Sequence, residues 1–149
     1  MKVYRISKQQ YINDLSGFGA ANYPGRWNSK GVFVLYTAAT PSLALLESVV
    51  HINKIIQADY AMATIILPEN SFALLEVSDL PNGWDSFPPP DKLKKFGDDF
   101  VRDQKFLALK LPSSIMPEDF NLLINPAHPD FKKLKIESIR SLVIDNRLL

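Results

Sequence analysis

Apolar positions along this chain fall in short runs separated by turn-forming residues, and most of the runs are too short for helices. Residues 3–6 read as a short first strand. Val32–Tyr36, rich in β-branched and aromatic side chains, reads as a buried strand. Tyr60–Leu67, Phe72–Val77, Phe106–Leu111, Phe120–Ile124 and Ser141–Asp145 follow in the same manner. Pro112 stops one of these runs and Asn125-Pro126 stops another. Thr40-Pro41 marks a helix start, a capping hydroxyl followed by proline at the first helical position, and that helix is expected to reach about Asn53. Asp91 is placed to cap a second helix running to about Gln104, with Leu93, Phe96 and Phe100 at helical spacing and Gly97 as its weak point. Strands outnumber helices and do not alternate regularly with them. The expectation is one α+β domain over residues 1–149, not a doubly wound α/β fold.

The stretches without periodicity are as telling. Residues 13–31 hold four of the six glycines, together with Pro24 and several Asn and Ser, and form a long loop of the kind that often carries function. Residues 78–90 form an irregular connection ending in the stiff Pro88-Pro89-Pro90. Within the first helix, Leu43, Leu46, Glu47 and Val50 share a face while Leu45 and Val49 cover another side. That helix should be apolar nearly all round and buried. A carboxylate there requires a partner or a ligand. An ion pair with a nearby Arg or Lys is the plain alternative.

Other polar residues offer the same two readings. Arg26 follows Pro24-Gly25 and presents a planar fork suited to phosphate or carboxylate, or to an ion pair. Trp27 is read as core. Arg5, on the first strand, is a pocket cation or a surface ion-pair partner. Tyr36 ends a strand, where a ring reaches a pocket or packs in the core. Ser113 follows Pro112 without a Gly-x-Ser-x-Gly frame, so it is no nucleophile elbow and reads first as a turn residue. Asn125 likewise belongs to a turn signal. His51 and His128 lack the spacing of zinc ligands, and no metal site is expected. Gly17-Phe18-Gly19 has Asn22 where a third glycine would be needed and does not join a strand to a helix, which excludes a Rossmann dinucleotide turn.

Composition narrows the classes further. The 149 residues carry a net charge of +1 with scattered basic positions, which argues against direct nucleic-acid binding. Cysteine is absent, so disulfides and thiolate metal sites are excluded. No apolar run approaches the ~18 residues of a membrane span. The start, Met1-Lys2-Val3-Tyr4-Arg5, has no apolar leader. A cytoplasmic location is the expectation.

Taken in order, the segments resemble the RES-domain family, named for an arginine, a glutamate and a serine. The resemblance rests on Tyr4-Arg5-Ile6, then Gly25-Arg26-Trp27-Asn28 with Gly31, Tyr36-Thr37-Ala38 and Ser42-Leu43-Ala44-Leu45-Leu46-Glu47. It resumes with Leu111-Pro112-Ser113, Asn125-Pro126-Ala127-His128-Pro129 and Asp145-Asn146-Arg147-Leu148. Tyr23-Pro24 departs from it, because a small residue, often glycine, is usual there. The resemblance implies a mixed β-sheet core with flanking helices, similar to that of ADP-ribosyltransferases. It implies the toxin half of a bacterial toxin–antitoxin pair that cleaves the nicotinamide–ribose bond of NAD⁺. NAD⁺ is then a substrate, and no prosthetic group is expected. Arg26, Glu47 and Ser113 become the naming triad, with Arg5, Tyr36 and Asn125 as substrate-binding candidates. Expected partners are a helix-turn-helix antitoxin of the Xre type and a second copy of the chain, since family members are often dimers. Water, phosphate or a protein side chain as acceptor would make the activity a glycohydrolase, a phosphorylase or an ADP-ribosyltransferase. The alternative function is a non-enzymatic interaction module in which the polar cluster is structural. A nuclease is disfavoured by the scattered charge and the lack of a clustered acidic metal site.

Overall fold

The short apolar runs become strands of one sheet. A computed structural model describes residues 1–52, 58–69 and 72–149. Its strands are β1 (Lys2–Lys8), β2 (Leu35–Ala38), β3 (Tyr60–Ile66), β4 (Phe72–Leu74), β5 (Ala108–Pro112), β6 (Phe120–Ile124) and β7 (Lys135–Leu142). The helices are α1 (Phe18–Asn22), α2 (Pro41–Val49) and α3 (Lys94–Asp103). The seven strands lie in the order β4-β5-β6-β2-β1-β3-β7. Only β4 and β5 run parallel; the other neighbours are antiparallel. This is the α+β architecture expected from the pattern, with a mixed sheet.

Register divides the side chains between two faces. Val3, Leu35, Leu122 and Ile124 look one way and join Ala61, Ala63 and Ile65 of β3 in one buried cluster. Tyr36, Leu109, Leu111 and Leu123 look the other way and pack with Trp27, Val34, Trp84 and Leu93. On that second face Ala38 meets Leu43 and Ala44 of α2, with Tyr4 and Ile6 against them. The sheet is tied loosely at its middle: β1 and β2 share one registered pair, Tyr4↔Ala38, whereas β1 pairs with β3 along its whole length, from Lys2↔Ile66 to Lys8↔Tyr60.

Local chemistry accounts for most element ends. The Thr40 hydroxyl accepts from Leu43 N at 3.1 Å and Pro41 opens α2, as anticipated. That helix ends at Val49; Asn53, its expected end, lies outside the described residues. Asp91 makes no cap. It opens a 3-10 turn, Asp91–Leu93, that leads into α3. Gly97, the suspected weak point, is where α3 touches Trp27: a Cβ there would collide with the Trp27 carbonyl oxygen. The strand predicted at 32–36 starts three residues later and ends at Ala38, because Val32, Phe33 and Val34 belong to the loop. The last strand begins at Lys135, well before the predicted Ser141. Its residues are mostly exposed on a sheet edge, so its polar sequence carries little apolar signal.

Candidate functional site

Loop residues 23–31 are organised by a buried asparagine. Asn28 is 0% exposed. Its Nδ2 donates to the carbonyls of Ala20 at 2.8 Å and Val32 at 3.2 Å. Its Oδ1 accepts from Gly25 N at 2.9 Å and from the Tyr36 hydroxyl at 2.7 Å. The Tyr36 oxygen in turn accepts from Trp27 N at 3.1 Å. Gly25 is required by this approach, since a Cβ would lie 2.7 Å from the Tyr36 oxygen. Asp98 of α3 completes the brace by accepting from Ser29 N and Oγ. Trp27 packs on Trp84 and Phe96 and belongs to the core, as read from the sequence.

Arg26 projects from this braced loop. Its Nη1 donates to the carbonyls of Trp84 and Ser86, each at 2.8 Å, so the 78–90 connection helps hold it. Nε and Nη2 make no hydrogen bond among the described residues. Burial lowers the Arg26 pKa, and the charges of Glu47 and Asp85 oppose that shift. Burial likewise holds the Tyr36 phenol well above its ordinary value of 10.0, so it is a neutral donor at physiological pH.

Glu47 lies on α2 at the same face of the sheet. The helix is less buried than expected: Leu43 and Ala44 are buried, while Leu45 through Val49 are half-covered. Glu47 is therefore at a boundary and reachable from solvent. Among the described residues it forms no ion pair; its partners are neutral donors. Ser113 Oγ and Asn121 Nδ2 each donate to Glu47 Oε1 at 2.7 Å. Oε2 accepts no hydrogen bond from the described residues. Ser113 is 0% exposed and also keeps the turn role read from sequence: its Oγ accepts from Ile115 N and Met116 N, and its N–H donates to Asp119 O.

The structure thus gathers Arg26, Tyr36, Glu47 and Ser113. It does not gather Arg5 and Asn125 with them. Arg5 follows Tyr4 by one residue on β1 and points to the opposite face, where Nη1 donates to Ile12 O at 2.8 Å and Tyr11 O at 3.2 Å. Burial lowers its pKa, and Asp14 acts against this. Asn125 is 0% exposed; its Nδ2 donates to Val101 O at 3.0 Å and its Oδ1 accepts from Ala127 N at 3.0 Å, bolting the end of β6 to α3. Asn28 and Asn121 are the residues that sequence reasoning passed over. Asn28 was visible beside Arg26, whereas Asn121 looked like an ordinary polar position in a strand. Among the described residues no cluster of His, Cys, Asp and Glu is suited to a metal ion. An apolar hollow of about 190 Å³, lined by residues such as Phe96, Phe100 and Phe106, lies away from the Glu47 cluster.

A mixed sheet with a guanidinium, a phenol and a carboxylate gathered over one face defines a class of small α+β proteins with a polar site. A chain of the M. tuberculosis MbcT–MbcA toxin–antitoxin complex has this fold: the TM-score is 0.75 at 16% identity, over 95% of this chain and 84% of that one. Residues 2–145 match the RES domain, and the chain belongs to the RES-domain family. It is 40% identical over 141 residues to the Prs ADP-ribosylating toxin of Sphingobium sp. (strain YBL2), covering 92% of this chain and 88% of that protein. It is 35% identical to a Toxin Res of Yersinia enterocolitica, covering 89% and 88% respectively. Among the described residues no helix is long and apolar enough to cross a membrane.

Proposed function

We propose that this chain is the toxin of a toxin–antitoxin pair and that it breaks the nicotinamide–ribose bond of NAD⁺. The observation that carries the reading is Glu47: a half-buried carboxylate with one oxygen pinned and the other uncommitted, within electrostatic reach of Arg26. The names of its relatives, an ADP-ribosylating toxin and a Toxin Res, support the same class.

Breaking that bond leaves a cationic, oxocarbenium-like sugar and a neutral nicotinamide, so no strong acid is needed. A preorganised negative group beside the ribose lowers the barrier by opposing the developing charge. Glu47 supplies that group, and Oε2 is available to accept from ribose hydroxyls. Arg26 supplies the opposite need: Nη1 is anchored on two carbonyls, and Nε and Nη2 remain to bind pyrophosphate oxygens. Tyr36, neutral and fixed by Asn28, offers a ring face to nicotinamide. Arg5 enters only by shaping the loop through the Tyr11 and Ile12 carbonyls, and Asn125 by holding α3.

The partner on this reading is a separate helix-turn-helix antitoxin, and the activity belongs in the cytoplasm, where NAD⁺ is available. The test is nicotinamide release from NAD⁺ by purified protein, with the other product identified by mass spectrometry in the presence of water alone, phosphate or an acceptor protein. Release at the wild-type rate by a folded Glu47→Ala protein would reject the assignment.

A further inference from the structure

The sheet puts one more polar side chain beneath Glu47. Asn121 pairs with Ala38 of β2 and Leu111 of β5, so it shares a face with Tyr36 and with the floor of α2. Its Nδ2 meets Glu47 Oε1 at 2.7 Å. The amide can face the carboxylate only this way round, because an ionised carboxylate oxygen accepts and does not donate. Ser113 Oγ donates to the same oxygen, also at 2.7 Å. The serine hydroxyl has nothing left to offer, since it also accepts from Ile115 N and Met116 N at 3.1 Å. One carboxylate oxygen therefore receives two charge-assisted hydrogen bonds, and the other receives none from the described residues.

We propose that Asn121 is a positioning residue that, with Ser113, clamps Glu47 Oε1 and so presents Oε2 alone to the ligand. Asn121 acts through Glu47. Ser113 is the second jaw of the clamp: its proton is held by the carboxylate, and it serves neither as nucleophile nor as ribose donor. A glutamate has three rotatable side-chain bonds, and an unclamped one on a half-covered helix would spread its charge over several rotamers.

The kinetic part of the test rests on the NAD⁺ reading. Asn121→Ala is expected to lower kcat for nicotinamide release by about 10- to 100-fold, the usual weight of one hydrogen bond to a charged group. KM should move by less than about threefold, since the loss falls on the reacting state. Asn121→Asp keeps the shape and loses the donor, so it should lose at least as much, and it serves if the alanine variant does not fold. In a Glu47→Gln background, Asn121→Ala should cause no further loss in single-turnover measurements, because its effect passes through the carboxylate. An unchanged kcat, or an equal loss in both backgrounds, overturns the proposal. If the wild-type protein releases no nicotinamide, that failure belongs to the NAD⁺ reading, and crystal structures then decide the clamp. Glu47 should leave its Ser113 contact or occupy more than one rotamer in Asn121→Ala; a single, unmoved Glu47 side chain overturns the inference.

Discussion

At the residue scale, hydrogen bonds hold Arg26, Tyr36 and Glu47 each in one place. On the NAD⁺ reading, Glu47→Ala and Glu47→Gln should each cut nicotinamide release by two or more orders of magnitude, about 3 kcal/mol of transition-state stabilisation. Circular dichroism should stay unchanged, because Glu47 is half-exposed and forms no ion pair among the described residues. Arg26→Lys keeps the charge but loses the fork of Nε and Nη2 left over once Nη1 is engaged by the Trp84 and Ser86 carbonyls, and on the NAD⁺ reading KM for NAD⁺ should rise at least about tenfold. Tyr36 gives a pH prediction with a definite sign. Its pKa is raised above the ordinary 10.0, chiefly by burial, so the folded state favours the protonated phenol. Below pH 10.0 both states are protonated and its contribution is complete; above it the unfolded chain ionises first and stability falls. Urea midpoints measured from pH 8.5 to 11.5 (roughly the span around that value) should decline less steeply in Tyr36→Phe than in wild type.

At the element scale, a helix position can look wrong by propensity and be right by contact. Gly97 interrupts α3, and alanine there would favour an isolated helix by about 1 kcal/mol. The Trp27 carbonyl occupies the space a methyl group would need, so Gly97→Ala should instead destabilise the protein by about 1–3 kcal/mol. It should also weaken NAD⁺ turnover, because the Trp27 backbone leads directly from Arg26. Stabilisation in a urea titration would show that α3 does not rest on Trp27. The start of α2 behaves in the ordinary way. Thr40→Ala removes the bond to Leu43 N and should cost about 1 kcal/mol.

At the scale of the whole molecule, one sheet spans two buried clusters on opposite faces. Both tryptophans lie in the second cluster, with ring centroids 6.5 Å apart. Because β2, β5 and β6 contribute to both clusters, the faces should not unfold separately. Tryptophan fluorescence, which reports one face, and far-ultraviolet circular dichroism, which reports the sheet, should give coincident urea transitions. Separated transitions would mean that the two faces unfold independently despite the strands they share.

Short-range chemistry was legible in the chain itself. Thr40-Pro41 began a helix, the apolar runs became strands, Trp27 went to the core, and the ordered motifs identified the family. These depend on neighbours a few residues apart. The sequence left three things undecided, all set by side-chain direction across the sheet. Arg5 and Tyr4 are adjacent in the chain, yet the period-two alternation of a strand sends them to opposite faces. By sequence Glu47 requires a ligand or a partner, with an ion pair as the plain alternative, and register brought Ser113 and Asn121 to it as neutral donors. Asn121 carried no local signal, because its importance comes from lying opposite Ala38 under a helix more than seventy residues earlier. Pairing register and face are properties of the assembled sheet, so only the tertiary structure decided which polar residues meet.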